Sequence, residues 1–151
     1  MKNLQEIKNK LYEACLLFVD EKYNTVTSII ESNKKALFSE TKSSAGDKHE
    51  TGRAMLQLEM EKASQQLAVI FEMKEAVSKI EIQKNSEMIC LGSLIITNKA
   101  SYFLAISAGK ITIENTNYYA VSTNSPIGKQ LLGKSIGNRI LFNEAEILAI
   151  Y

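Results

Sequence analysis

Glu40-Thr-Lys-Ser-Ser-Ala-Gly46-Asp47-Lys-His-Glu50-Thr-Gly-Arg53 separates two long segments of helical period, and its reading decides the fold. Ser43, Ser44, Ala45 and Gly46 are small, so the stretch reads as a short polar turn. Asp47 and Glu50 stand three positions apart, and on a helix such positions share one side. A second helix starting near Asp47 therefore carries both carboxylates together in its first turn. Acids there are favoured by the macrodipole, and Ser44 can contribute to the cap. The same residues would also form a point of negative charge where two helices meet.

Upstream, residues 2–37 contain neither Gly nor Pro. Leu4, Ile7, Leu11, Ala14, Phe18, Val26, Ile29 and Leu37 recur there mostly at steps of three and four. Downstream, Leu56, Met60, Ala63, Leu67, Ile70 and Val77 follow heptad steps, with Lys74 the one polar interruption. Met55, Met60 and Met73 fit the same packing. Two seams joined by a short polar turn predict an antiparallel helical hairpin within a monomer, with arms about 45–55 Å long at a helical rise of ~1.5 Å per residue. A parallel coiled-coil dimer is the rival, but the turn makes pairing within one chain cheaper.

Past Lys84 the period shortens. Residues 89–97, 102–107, 111–113, 118–121, 139–142 and 146–151 read as strands rich in Ile, Tyr, Val and Thr, with Asn or Gly at the turns between them. Ser125-Pro126 reads as an N-cap followed by proline at the first helical position, and Gly133 ends that helix. The expected fold class is α+β: a helical hairpin over 1–83 with its acidic tip near 43–51, then a small antiparallel sheet domain with one short helix over 84–151.

The net charge is +1, with 12 basic against 13 acidic residues in 1–83 and 6 against 4 in 84–151, so no bulk charge attracts nucleic acid. Cys15 and Cys90 match no metal or redox spacing and read as small apolar residues of a reducing compartment. The mixed-charge N-terminus lacks the apolar core of a signal peptide, and apolar runs such as Leu94-Ile-Ile96 are too short to cross a bilayer. These features predict a cytoplasmic protein with no membrane association.

Gly128-Lys-Gln-Leu-Leu-Gly133-Lys134-Ser135 fits the phosphate-loop pattern G-x-x-x-x-G-K-[ST]. That chemistry needs the loop to follow a strand and to open a helix. Here the proline-initiated helix covers the first glycine, and only 16 residues follow Ser135, so nucleotide hydrolysis is not expected. His49 is the only histidine and has no nucleophile motif to serve. Two carboxylates hold Mg²⁺ weakly unless another protein supplies further ligands.

Two motifs resemble the Gre family of bacterial transcript-cleavage factors, which bind RNA polymerase. Gly46-Asp47-Lys48-His49-Glu50 is similar to that family's hairpin-tip pattern G-D-x-x-E. Asn124-Ser125-Pro126-Ile127, with Leu131, Leu132, Gly133 and Lys134 after it, is similar to the N-S-P-[IL]…L-x-G-K stretch of its C-terminal domain. The resemblance spans nearly the whole chain. It implies an FKBP-like C-terminal domain that docks on the rim of the polymerase secondary channel through Asn124, Ser125 and Pro126, while the coiled coil enters the channel. Asp47 and Glu50 would then be the catalytic tip carboxylates, sharing a Mg²⁺ with the polymerase active site near the 3′ end of the nascent RNA. The chain would be no enzyme and would need no cofactor of its own.

Thr51-Gly-Arg-Ala54 stands where that family carries Asn-Ala-Glu-Tyr, and Lys48 and His49 place positive charge beside the acids. These differences keep a second reading open, a non-cleaving regulator of the same channel. A third reading, an FKBP-like prolyl isomerase or chaperone domain with a coiled-coil arm, is disfavoured. The C-terminal half has no Trp, and its aromatic residues give no sign of a ring-lined proline pocket.

Overall fold

The computed structural model describes residues 3–42 and 47–151, with side chains described outside 40–50. Two helices come first, α1 (Leu4–Lys42) and α2 (Asp47–Ser78). Strands β1 (Leu94–Thr97), β2 (Ser101–Ala105), β3 (Gly109–Ile113) and β4 (Thr116–Ser122) come next, then helix α3 (Pro126–Leu131) and strand β5 (Ile147–Ile150). The chain is α+β, a helical pair succeeded by a five-stranded sheet with one short helix. It divides into two compact units. One holds residues 19–73; the other joins the N-terminal residues up to Phe18 with Lys74–Tyr151.

In the 19–73 unit, α1 buries Val26 and Asn33, and α2 buries Ala63 and Ile70. Each pair is one heptad apart, the spacing that keeps a seam facing its partner. Leu56, Met60 and Leu67 are half-buried along the same stripe of α2. The rings of Tyr23 and Phe71 meet with centroids 6.2 Å apart, joining α1 to α2 near the ends of this unit. Ile29, expected in the seam, is exposed. Asn33 is buried instead, and its Nδ2 has no hydrogen-bond partner among the described residues. A lone polar residue at such a position costs stability and favours one register.

The second unit holds the first turns of α1, the end of α2 and the sheet. Here α1 buries Ile7, Lys8, Leu11 and Cys15. Cys15 thus takes the place expected for Ala14, which is half-buried, because steps of four carry the buried stripe around this end of the helix. Lys8 Nζ donates to the Lys84 carbonyl at 3.0 Å, and Gln5 Nε2 to the Ile82 carbonyl at 3.0 Å. Burial holds the Lys8 ammonium below its usual pKa, against a smaller opposing effect of Cys90. Lys10 and Glu114 form a 3.6 Å ion pair between α1 and the β3–β4 turn.

The sheet order is β3-β4-β2-β1-β5. Three pairings are antiparallel, and β2–β4 is parallel, so the sheet departs from all-antiparallel pairing at its centre. β3 and β4 are joined through Glu114 and Asn115, both at positive φ, the conformation a two-residue hairpin turn requires. Two expected strand segments are shorter than their sequence patterns. Residues 89–93 form a turn rather than strand: Cys90 N donates to Ser93 Oγ, and Gly92 has φ +92°. The 139–142 segment keeps one bridge, Arg139 to Glu146. Beyond it Leu141 is 88% exposed and Glu144 turns the chain at positive φ, so no apolar face remains to extend the pairing. On the α3 side of the sheet, Ile89, Ile95, Leu104, Leu131, Ile140 and Ile147 form one continuous core.

Candidate functional site

Two regions carry the residues singled out from the sequence, one in each unit. Asp47 and Glu50 both fall in α2, which begins at Asp47, so its backbone sets them on one side of the first turn. Their side chains, with those of Lys48 and His49, lie outside the described residues, as do Ser43, Ser44, Ala45 and Gly46 altogether. Among the described residues no cluster of three or more metal-ligating side chains occurs.

Asn124, Ser125 and Pro126 lie where β4 hands over to α3. Ser125 is the N-cap: its Oγ accepts from Gly128 N at 3.0 Å and donates to the Ser122 carbonyl at 2.7 Å. Pro126 occupies the first helical position, where no amide hydrogen is needed. Ser125 is half-buried and committed to these bonds, while Asn124 and Pro126 are exposed. The three positions expected to act together therefore divide: one builds the loop and two are presented by it.

Gly128 explains half of the phosphate-loop pattern. A Cβ at this position would lie 1.8 Å from the Ser122 carbonyl oxygen, so only glycine lets α3 start this close to the end of β4. The rest of the pattern spends its amides internally. Leu132 N donates to the Gly128 carbonyl, Gly133 N to Ile89, Lys134 N to Leu131, and Ser135 N to Asn138 Oδ1. A phosphate cradle needs those donors free. This segment closes α3 and fastens it to residue 89, and its amides are engaged within the fold.

Beside Pro126 lies a feature the sequence did not announce. Tyr102, Tyr119, Val121, Pro126, Ile127 and Phe142 line an apolar cavity of about 530 Å³. Tyr102 and Tyr119 are register partners on β2 and β4, with ring centroids 6.2 Å apart. Phe142 is held by its amide, which donates to Gln130 Oε1 at 2.8 Å. Tyr102 is almost wholly buried, and this burial raises its phenol pKa. The Asn143 side chain opposes that shift through a hydrogen bond, and Tyr119 adds to it. The expectation that the C-terminal half lacks a ring-lined pocket is corrected here. Its rings come from three separate segments, and only the parallel β2–β4 pairing and the 142–144 turn bring them together. The available signal was Tyr119 and Val121 at alternate positions just before Ser125-Pro126.

No protein-family model matches this chain, and no curated protein matches its sequence. Among the described residues no helix is long and apolar enough to cross a membrane.

Proposed function

We propose that this chain is an RNA polymerase-binding elongation factor of Gre type. It would insert its helical pair into the secondary channel and stimulate the polymerase's own cleavage of backtracked transcripts. One observation carries the reading: the acidic G-D-x-x-E motif starts the second helix of a long pair, and the N-S-P motif caps the short helix of the sheet unit. Asp47 and Glu50 would lend anionic oxygens to a Mg²⁺ held mainly by polymerase carboxylates, the two-metal arrangement that phosphodiester cleavage uses. Asn124 and Pro126 would contact the polymerase surface, with Ser125 holding the loop. The protein would work in the cytoplasm, as an accessory factor and not as an enzyme.

A second reading, a channel regulator that does not promote cleavage, is favoured by Thr51-Gly-Arg-Ala54 and by the positive charge of Lys48 and His49. Cleavage of a stalled, backtracked transcript by the cognate polymerase separates the two. Asp47→Asn and Glu50→Gln keep the shape and remove the charge. Each is expected to lower stimulated cleavage roughly 10²-fold, the scale of losing one electrostatic catalytic group, with polymerase binding unchanged. Tight binding by the wild-type chain without any rise in cleavage selects the regulator. Failure to bind polymerase at all removes both.

A further inference from the structure

Three lysines stand next to residues that line the apolar cavity beside α3. Lys110 lies directly across from Tyr119 in the β3–β4 register, so the two side chains share one face of the sheet. Lys129 comes three residues after Pro126 in α3, on the same side of that helix. Lys99 precedes the cavity residue Ala100, and its Nζ donates to the carbonyl of Asn143, next to Phe142. Among the described residues none of these three lysines is in an ion pair. The acids nearest these lysines and Phe142 in sequence are Glu114, Glu144 and Glu146. Glu114 is paired with Lys10 at 3.6 Å, which leaves three lysines against two acids. The cavity is open, with Phe142 71% and Tyr119 39% exposed. Lysines neighbouring a carbon-lined recess are complementary to an apolar anchor set among carboxylates.

We propose that this cavity binds an acidic protein segment, one bulky apolar side chain entering between Tyr119, Phe142 and Pro126 while its flanking carboxylates pair with Lys99, Lys110 and Lys129. The lysines make acidic protein the occupant over a neutral proline-rich strand, which needs only the rings. They also give the contact an orientation that apolar burial alone does not supply. The inference shares its face with the proposed docking loop. It rests on that reading only for which macromolecule carries the segment, not for the chemistry of recognition.

The test uses the full-length chain, isotope-labelled, titrated by NMR at about 50 mM salt, where surface charge is weakly screened. The probe is a blocked hexapeptide with a central Leu-Phe flanked by two glutamates on each side. The controls are the same peptide with lysine flanks, the same with an Ala-Ala centre, and a blocked proline-rich hexapeptide. The acidic Leu-Phe peptide is expected to bind at least tenfold tighter than each control and to shift resonances of Tyr102, Tyr119 and Ile127. Phe142→Ala, and the triple change Lys99→Glu, Lys110→Glu and Lys129→Glu, should each weaken it at least tenfold; all four positions are solvent-facing, so the fold is retained. Equal binding of the lysine-flanked or proline-rich peptide overturns the proposal. So does wild-type affinity in the triple variant, or a set of shifts centred in residues 19–73. Retention of polymerase by the wild-type chain is measured separately. Peptide binding as described, with no polymerase retained, upholds the cavity and removes the polymerase reading.

Discussion

Ser125 shows how one residue type can be chosen for two reasons that experiment can separate. It carries the N-cap of α3 through bonds at 3.0 and 2.7 Å, whereas its neighbours Asn124 and Pro126 face solvent. Ser125→Ala is expected to lower the unfolding free energy by about 1 kcal/mol, the usual loss for such a cap. Asn124→Ala should leave stability within about 0.5 kcal/mol while weakening polymerase retention. Denaturant titration alongside pull-down distinguishes these outcomes; a stability loss at Asn124 matching that at Ser125 would deny it a surface role. Cys15 offers a test by pH. Burial pushes its thiol from an ordinary 9.0 up to about 11. The unfolded chain therefore loses this proton first, and the stabilisation is intact below pH 9 and lost as pH rises through 11. The stability advantage of wild type over Cys15→Ala should shrink by about 2–3 kcal/mol across that window. An advantage constant from pH 8 to 11.5 would mean the thiol is not buried.

At the scale of elements, the heptad positions of α2 were legible because a seven-residue apolar repeat has few other uses. Ala63, Ile70 and Val77 are all buried as that repeat requires. The seam of α1 was legible only in outline, since the sheet-bearing unit draws in Cys15 and since Asn33, a polar residue, takes a buried place. Composition, with Ile, Tyr, Val and Thr between Asn or Gly turns, found the strands β2, β3 and β4, and the Ser125-Pro126 pair found α3. It failed at residues 89–93 and 139–142, where side-chain bonds to the backbone and an exposed Leu141 outweigh β propensity. The ring-lined cavity was hidden for a related reason: a parallel pairing between strands two elements apart leaves no local mark. Adjacent positions test the seam itself. Ile70 is 4% exposed and Val69 50%. Ile70→Asp buries an unpaired carboxylate and should cost about 3–5 kcal/mol, while Val69→Asp should cost under about 1 kcal/mol. Similar losses at both positions in thermal unfolding would show that the two helices do not pair along this stripe.

For the whole molecule, the proposed roles divide between the units: tip carboxylates in one, capped loop and cavity in the other. The boundary between them has a consequence for how the chain reaches its native state. The sheet-bearing unit is discontinuous, made from the N-terminal residues up to Phe18 and from Lys74–Tyr151. Bringing those pieces together across an open loop of about 55 residues costs roughly 3–4 kcal/mol of chain entropy. The intervening segment can remove most of that cost beforehand. Its helices pair through contacts local in topology, and the Tyr23–Phe71 contact joins residues near its two ends. A hairpin that zips first thus acts as an intramolecular clamp, delivering both halves of the sheet unit to one place. Ile70→Asp should then slow formation of the sheet, read from the fluorescence of Tyr102, Tyr118 and Tyr119 in stopped-flow refolding, although no strand has been altered. Unchanged refolding rates in that variant would mean that the sheet nucleates without the clamp. With the clamp, the order of events is written into the connectivity: the inserted segment folds for itself, and by closing its own ends it makes the rest of the chain contiguous.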